Sequence, residues 1–164
     1  MKIAIGFFLV FAISMLSCKR DALTVREILT GKNWYPYKIE VKEFHNGILT
    51  SDTSYFTTDC QKEGSFFLFA DGRAEGDYRC RYPNYGIAQG VWNYVDSTKK
   101  ISVRIPILVD KGSGSGVILG VPDSEIISYS NRGFIASYSE TWYSTSESGG
   151  VTEIYYYTTT YKIR

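Results

Sequence analysis

The only histidine in the chain, His45, stands beside Asn46-Gly47, a dipeptide that favours a tight turn. The one side chain suited to proton transfer near neutral pH therefore flanks a turn, where a histidine is most often a solvated loop residue, and a Ser-His-Asp arrangement has little support. The glycine-serine run at 112–116 lacks the Gly-Lys-Ser/Thr ending and the following helix that cradle phosphate, so it reads as a flexible loop. Asp71 with Glu75, and Glu140 with Glu153, are the carboxylate pairs that acid–base work on a glycoside would require. Sequence alone does not place either pair at the separation that such chemistry needs, so this reading has little support. No catalytic residue, metal ligand or cofactor is assigned, and the chain is expected not to be an enzyme.

A binding pattern is easier to see. Phe134, Ala136, Tyr138, Glu140 and Trp142 alternate along one stretch, and Val151, Glu153, Tyr155, Tyr157 and Tyr161 follow on the next. In extended chain, alternate residues share a face, so each stretch sets carboxylates among aromatic rings. Lining a lumen, Glu140 and Glu153 become polar anchors in an apolar pocket. A register slip of one residue reverses this and puts Ile135, Ser137, Thr141, Ile154, Tyr156 and Thr158 inside. The expected pocket is Tyr78, Trp92, Tyr138, Glu140 and Trp142, with Glu153 and Tyr155 beside them. Its ligand is a small apolar or amphipathic molecule. The 14 tyrosines, half apolar and half polar, suit a damp cavity or an interaction surface.

The N-terminus carries one lysine, Lys2, and then an uncharged apolar run over 3–16. That run is shorter than the roughly 17–25 residues a membrane-spanning helix needs, and it has the proportions of a signal peptide. It ends in Met15-Leu16-Ser17-Cys18, which resembles a lipobox. The resemblance implies cleavage after residue 17 and a lipid on Cys18, with 18–23 as a tether. Acyl chains contribute about 0.8 kcal/mol for each buried methylene, enough for durable attachment when several are present. Lys19 and Arg20 lie where they would meet anionic headgroups. The expected location is the cell envelope, at the outer membrane. Of the 3 cysteines, lipidation of Cys18 leaves Cys60 and Cys80, an even pair that reads as a disulfide in an oxidising compartment. A metal site is the rival and would need more ligands than the distant His45 supplies.

Residues 24–164 have the length of one domain. With 18 basic and 17 acidic residues, the net charge of +1 gives no electrostatic reason to expect nucleic acid as a partner. Thr24 and Glu27 form a capping-box pattern ahead of Ile28 and Leu29, with Gly31 as a stop, which predicts one short helix near Thr24–Thr30. Everything beyond reads as strands. Tyr35, Tyr37, Ile39 and Val41 alternate with charged residues, and Asn46-Gly47 and Asp71-Gly72 mark hairpins. Further strands are predicted at 66–69, 73–81, 87–95, 101–107, 117–121, 125–129, 134–143 and 151–163. The predicted fold is all-β: an antiparallel up-and-down barrel of about eight to ten strands, closed because closure removes exposed edges.

The order of these parts resembles the lipocalin-like domains of Gram-negative lipoproteins: lipobox, short helix, Gly31 then Trp34, Cys60, the Asp71-Gly72 hairpin, Cys80, and Gly90-Val91-Trp92. Leu68 stands where that pattern has phenylalanine, between Phe67 and Phe69. The first-strand motif reads Gly31-Lys32-Asn33-Trp34, one residue longer than the Gly-x-Trp of other lipocalins. The likeness covers nearly the whole chain after the signal and implies a cup that binds or stores a ligand. The alternative is a solid-core module that contacts another envelope protein.

Overall fold

The computed structural model describes residues 23–59, 64–77, 86–108, 116–146 and 149–164. The signal segment, Cys18, Cys60, Tyr78 and Cys80 lie outside the described residues. One short helix, α1 (Val25–Leu29), is followed by nine strands: β1 (Asn33–His45), β2 (Ile48–Phe56), β3 (Ser65–Leu68), β4 (Arg73–Asp77), β5 (Ile87–Val95), β6 (Lys100–Leu108), β7 (Gly116–Ser130), β8 (Gly133–Ser146) and β9 (Gly149–Ile163). β3 to β9 each pair antiparallel with the next, and β9 pairs with β1, which also meets β3. Eight strands thus close a barrel, and β2 is an extra strand on β1.

Local chemistry explains the elements. Thr24 caps α1 by accepting from the Glu27 N–H at 3.2 Å, while the Glu27 carboxylate accepts from the Thr24 N–H at 2.7 Å. These hydrogen bonds hold the Glu27 carboxyl below its usual range, since they favour the charged form. Asn46 and Gly47 both take positive φ, at 50° and 81°, as a two-residue hairpin between β1 and β2 requires. The carboxylate of Asp71 accepts from the Arg73 guanidinium at 2.7 Å and stabilises the turn before β4.

The core fills the end of the barrel where β1 starts. Trp34, Leu29, Phe66, Leu68, Phe134 and Tyr161 pack there with Ile101, Val103 and Ile105 of β6. Phe134 stacks on Tyr161 at 4.5 Å and meets the edge of Trp34 at 5.0 Å. α1 lies over this end, buried through Val25, Ile28 and Leu29. The Trp34 indole N–H donates to the Leu29 carbonyl at 2.7 Å, so its one polar atom is satisfied inside the core.

Two features differ from the sequence-based expectation. Residues 117–121 and 125–129, expected as two strands, belong to the single strand β7, whose register shifts where β6 hands over from Val121 to Ser124. β1 also contains a bulge. Pro36 pairs with Tyr161 of β9 and Lys38 with Thr160, so Tyr37 is the inserted residue. The alternation therefore reverses: Trp34 and Pro36 face inward below the bulge, and Ile39, Val41 and Glu43 above it. Pro36, lacking an N–H, is tolerated at such a break.

Two glycines allow the barrel to close. A Cβ on Gly90 of β5 would overlap the Arg104 carbonyl and come within 2.7 Å of the Ile105 Cα. Gly120 of β7, at φ 138°, meets the Val103 carbonyl in the same way. β5, β6 and β7 approach more closely here than any side chain permits. Gly90→Ala should lower stability by about 1–3 kcal/mol, read as a lower urea midpoint at unchanged slope. An unchanged midpoint would show that the approach is not required.

Candidate functional site

The inner face shared by β1, β2, β8 and β9 continues beyond the core. Cross-strand register defines that face row by row. At core level Pro36 pairs with Tyr161, and Tyr161 with Phe134. Above it, Tyr55, Ile39, Thr159 and Ala136 form one row, and Thr53, Val41, Tyr157 and Tyr138 the next. Then come Ser51, Glu43, Tyr155 and Glu140, and finally His45, Glu153 and Trp142. Period-two alternation makes the lower rows core and the upper rows an open wall. Phe134 and Ala136 are 1% and 2% exposed, whereas Trp142 at the rim is 61% exposed. The inward set is therefore Phe134, Ala136, Tyr138, Glu140 and Trp142, not Ile135 and its partners.

Where core gives way to wall there is a cleft of about 230 Å³, lined by Pro36, Ile39, Phe66, Tyr138 and Tyr161, with Gly120 and Pro122 of β7 also contributing. Its floor is the Phe66–Tyr161 ring pair, in edge contact at 5.7 Å. Tyr138 and Tyr157 stack at 4.8 Å with planes 11° apart, and Tyr155 follows Tyr157 at 6.3 Å. Three rings thus run up the wall from the cleft. A larger cleft of about 540 Å³ lies on the outside of the barrel, where Asn33, Phe67 and Glu75 are register partners.

The upper wall is acidic. The Tyr155 hydroxyl lies 3.2 Å from a Glu153 carboxylate oxygen and 3.4 Å from one of Glu43. Glu140 is its cross-strand neighbour on the other side. Desolvation, the hydrogen bond to Glu153 and the Glu153 and Glu43 charges raise the Tyr155 phenol above its ordinary value. Desolvation, then Glu140, Tyr157 and Tyr55, push Tyr138 up to about 12. Tyr157 is raised by desolvation, with Glu140, Tyr55 and Glu43 adding to it. All three phenols stay neutral at physiological pH.

Tyr138, Glu140, Trp142, Glu153 and Tyr155 of the expected pocket therefore share one face. Trp92 stands apart from them. It is 4% exposed in the core, its indole N–H donates to the Phe69 carbonyl at 2.7 Å, and the Arg26 guanidinium lies over its ring at 4.8 Å. Sequence reasoning missed Glu43, Tyr55 and His45. The first is hidden by the bulge at Tyr37, which changes the phase of β1, and Tyr55 lies on a strand of mixed polarity. Glu140 and Glu153 are diagonal neighbours on the face, one row apart. Among the described residues, no three His, Cys, Asp or Glu side chains gather as a metal would need, and no helix is long and apolar enough to cross a membrane.

The raised Tyr138 phenol has a consequence at alkaline pH. The unfolded chain loses this proton near pH 10 and the folded chain near 12, so stability is intact below 10 and falls as pH rises between those values. In Tyr138→Phe the fall of the urea midpoint from pH 9 to 11 should be shallower than in the wild type. Parallel curves would show that this ring is not desolvated. Comparison with family models, with curated proteins and with solved structures finds no match to the chain, so a functional reading rests on the geometry of this face.

Proposed function

We propose that the chain is a lipid-anchored envelope lipoprotein whose barrel, of lipocalin-like type, binds a small apolar or amphipathic molecule. The observation that carries this reading is the change in one continuous face from buried core to open, ring-lined wall. The barrel is packed at the α1 end, so the guest sits in the upper cup, not deep in the lumen. The cleft at Tyr138 takes an apolar body, and the carboxylates above it meet a polar head. At about 230 Å³ the cleft is smaller than the roughly 300–1,000 Å³ of a closed drug-sized site, which fits a guest held partly against the open wall. Anchoring follows from the lipobox-like Met15–Cys18 segment.

A second reading has its own support. β2 is the terminal strand of the sheet order, with no strand on its outer edge among the described residues. Ile48, Leu49 and Phe56 are exposed along it. Such an edge suits a partner in the envelope that adds a strand.

Three experiments test these proposals. Native mass spectrometry of protein extracted from membranes should show a retained small molecule. Tyr157→Ala with Trp142→Ala should reduce its occupancy several-fold. Retention unchanged by both substitutions would remove the cup from consideration, and a single protein cross-linked in cells to position 54 would favour the open-edge reading. For the anchor, Cys18→Ser should move the protein from the membrane to the soluble fraction. Continued membrane association would refute lipid attachment at that residue.

A further inference from the structure

Among the described residues, the upper wall holds three carboxylates and no lysine or arginine. Glu43 and Glu140 flank Tyr155 in one row, and Glu153 stands in the next, beside His45. Every lysine on these four strands lies on the opposite face. Lys38 pairs with Glu40 at 2.8 Å, Lys42 with Asp52 at 3.6 Å, and the Lys162 ammonium sits 3.4 Å from the centre of the Tyr37 ring. The strands that form the wall thus turn their lysines outward, two of them beside Glu40 and Asp52, and leave Glu43, Glu140 and Glu153 on the cup side. Among the described residues of this face, His45 is the one basic side chain.

Tyr155 sharpens the point. One phenol has one proton, yet its oxygen lies within 3.4 Å of two carboxylates. It can donate to Glu153 or to Glu43 but not to both. The carboxylate left over faces a lone pair and a second negative charge, an arrangement that a cation between them would relieve. Directly below, the stacked Tyr157 and Tyr138 rings and the cleft offer apolar contact along the same face.

We propose that the guest of this wall is an alkylammonium-type amphiphile, its positive head between Glu43, Glu140 and Glu153 and its apolar body along Tyr155, Tyr157 and Tyr138 toward the cleft. This rests on the reading of the face as a ligand site and adds the sign of the ligand's charge. An ammonium head brings three donors to a place rich in acceptors. An anionic head would meet three like charges, and a neutral one would leave the carboxylates as they are.

The test uses three probes of equal chain length, octylammonium, 1-octanol and octanoate, titrated calorimetrically into the purified protein at pH 7 and low salt. Octylammonium should bind at least ten times more tightly than octanol, with octanoate weakest, and its advantage should shrink as salt is raised. Replacing Glu43, Glu140 and Glu153 together by glutamine should bring octylammonium and octanol within about two-fold of each other, through loss of octylammonium affinity. Glu153→Gln alone, which keeps an acceptor for Tyr155, should remove part of the preference and guards against misfolding of the triple variant. Equal affinity for octylammonium and octanol in the wild type, or tightest binding by octanoate, would overturn the charge assignment and leave the cup standing. Failure of all three probes to bind would overturn the cup and the assignment together.

Discussion

β1 has to serve two neighbours along one edge. Its first residues, Asn33 and Trp34, meet β3 and close the barrel, while Lys38 to His45 meet β2. The change of partner falls at the Tyr37 bulge, and Thr57 secures it. Its hydroxyl donates to the Pro36 carbonyl at 2.6 Å and its N–H to the Tyr37 carbonyl at 3.1 Å. Because Thr57 is 3% exposed, these bonds are made away from water, where leaving the carbonyls unpaired would be costly. The junction is where the edge of β1 passes from β2 to β3, the strand that closes the barrel at the α1 end.

The two ends of the inner face follow from that junction. Below it, eight strands enclose a volume that aromatic and branched side chains fill, with Trp34 hydrogen-bonded to α1. Above it, β1, β2, β8 and β9 continue past Glu125–Ser137, the last register pair of β7 with β8. The same alternation that buries Phe134 and Ala136 must then present Tyr138, Glu140 and Trp142 to a progressively more open space. Hydrophobic burial pulls the lower rows together, and the upper rows are free to carry charge. A wall bearing three carboxylates is affordable only where water still reaches it.

Much of this was legible in the sequence. Thr24 and Glu27 announced the helix, Asn46-Gly47 the first hairpin, and the spacing of Phe134 to Trp142 the inward set of β8. These signals are local, and local chemistry suffices to produce them. The bulge at Tyr37 was not legible, because a single inserted residue leaves the apolar pattern of β1 almost unchanged while reversing its phase, and Glu43 was lost with it. β7 looked like two strands because Pro122 interrupts the pattern, yet a register shift lets one strand continue. Trp92 was assigned to the pocket because alternation reports which face a residue takes, not how far along the barrel axis it lies.

The open edge of β2 meets a guard at its middle. Asp52 is the midpoint of Ile48–Phe56 and is held toward Lys42 of β1 at 3.6 Å. Were two copies to lay these edges side by side about a two-fold axis at the midpoint, each Asp52 would face its counterpart, and like charges directly opposite in a ladder repel. In that register the edge is inhospitable to a second copy of itself.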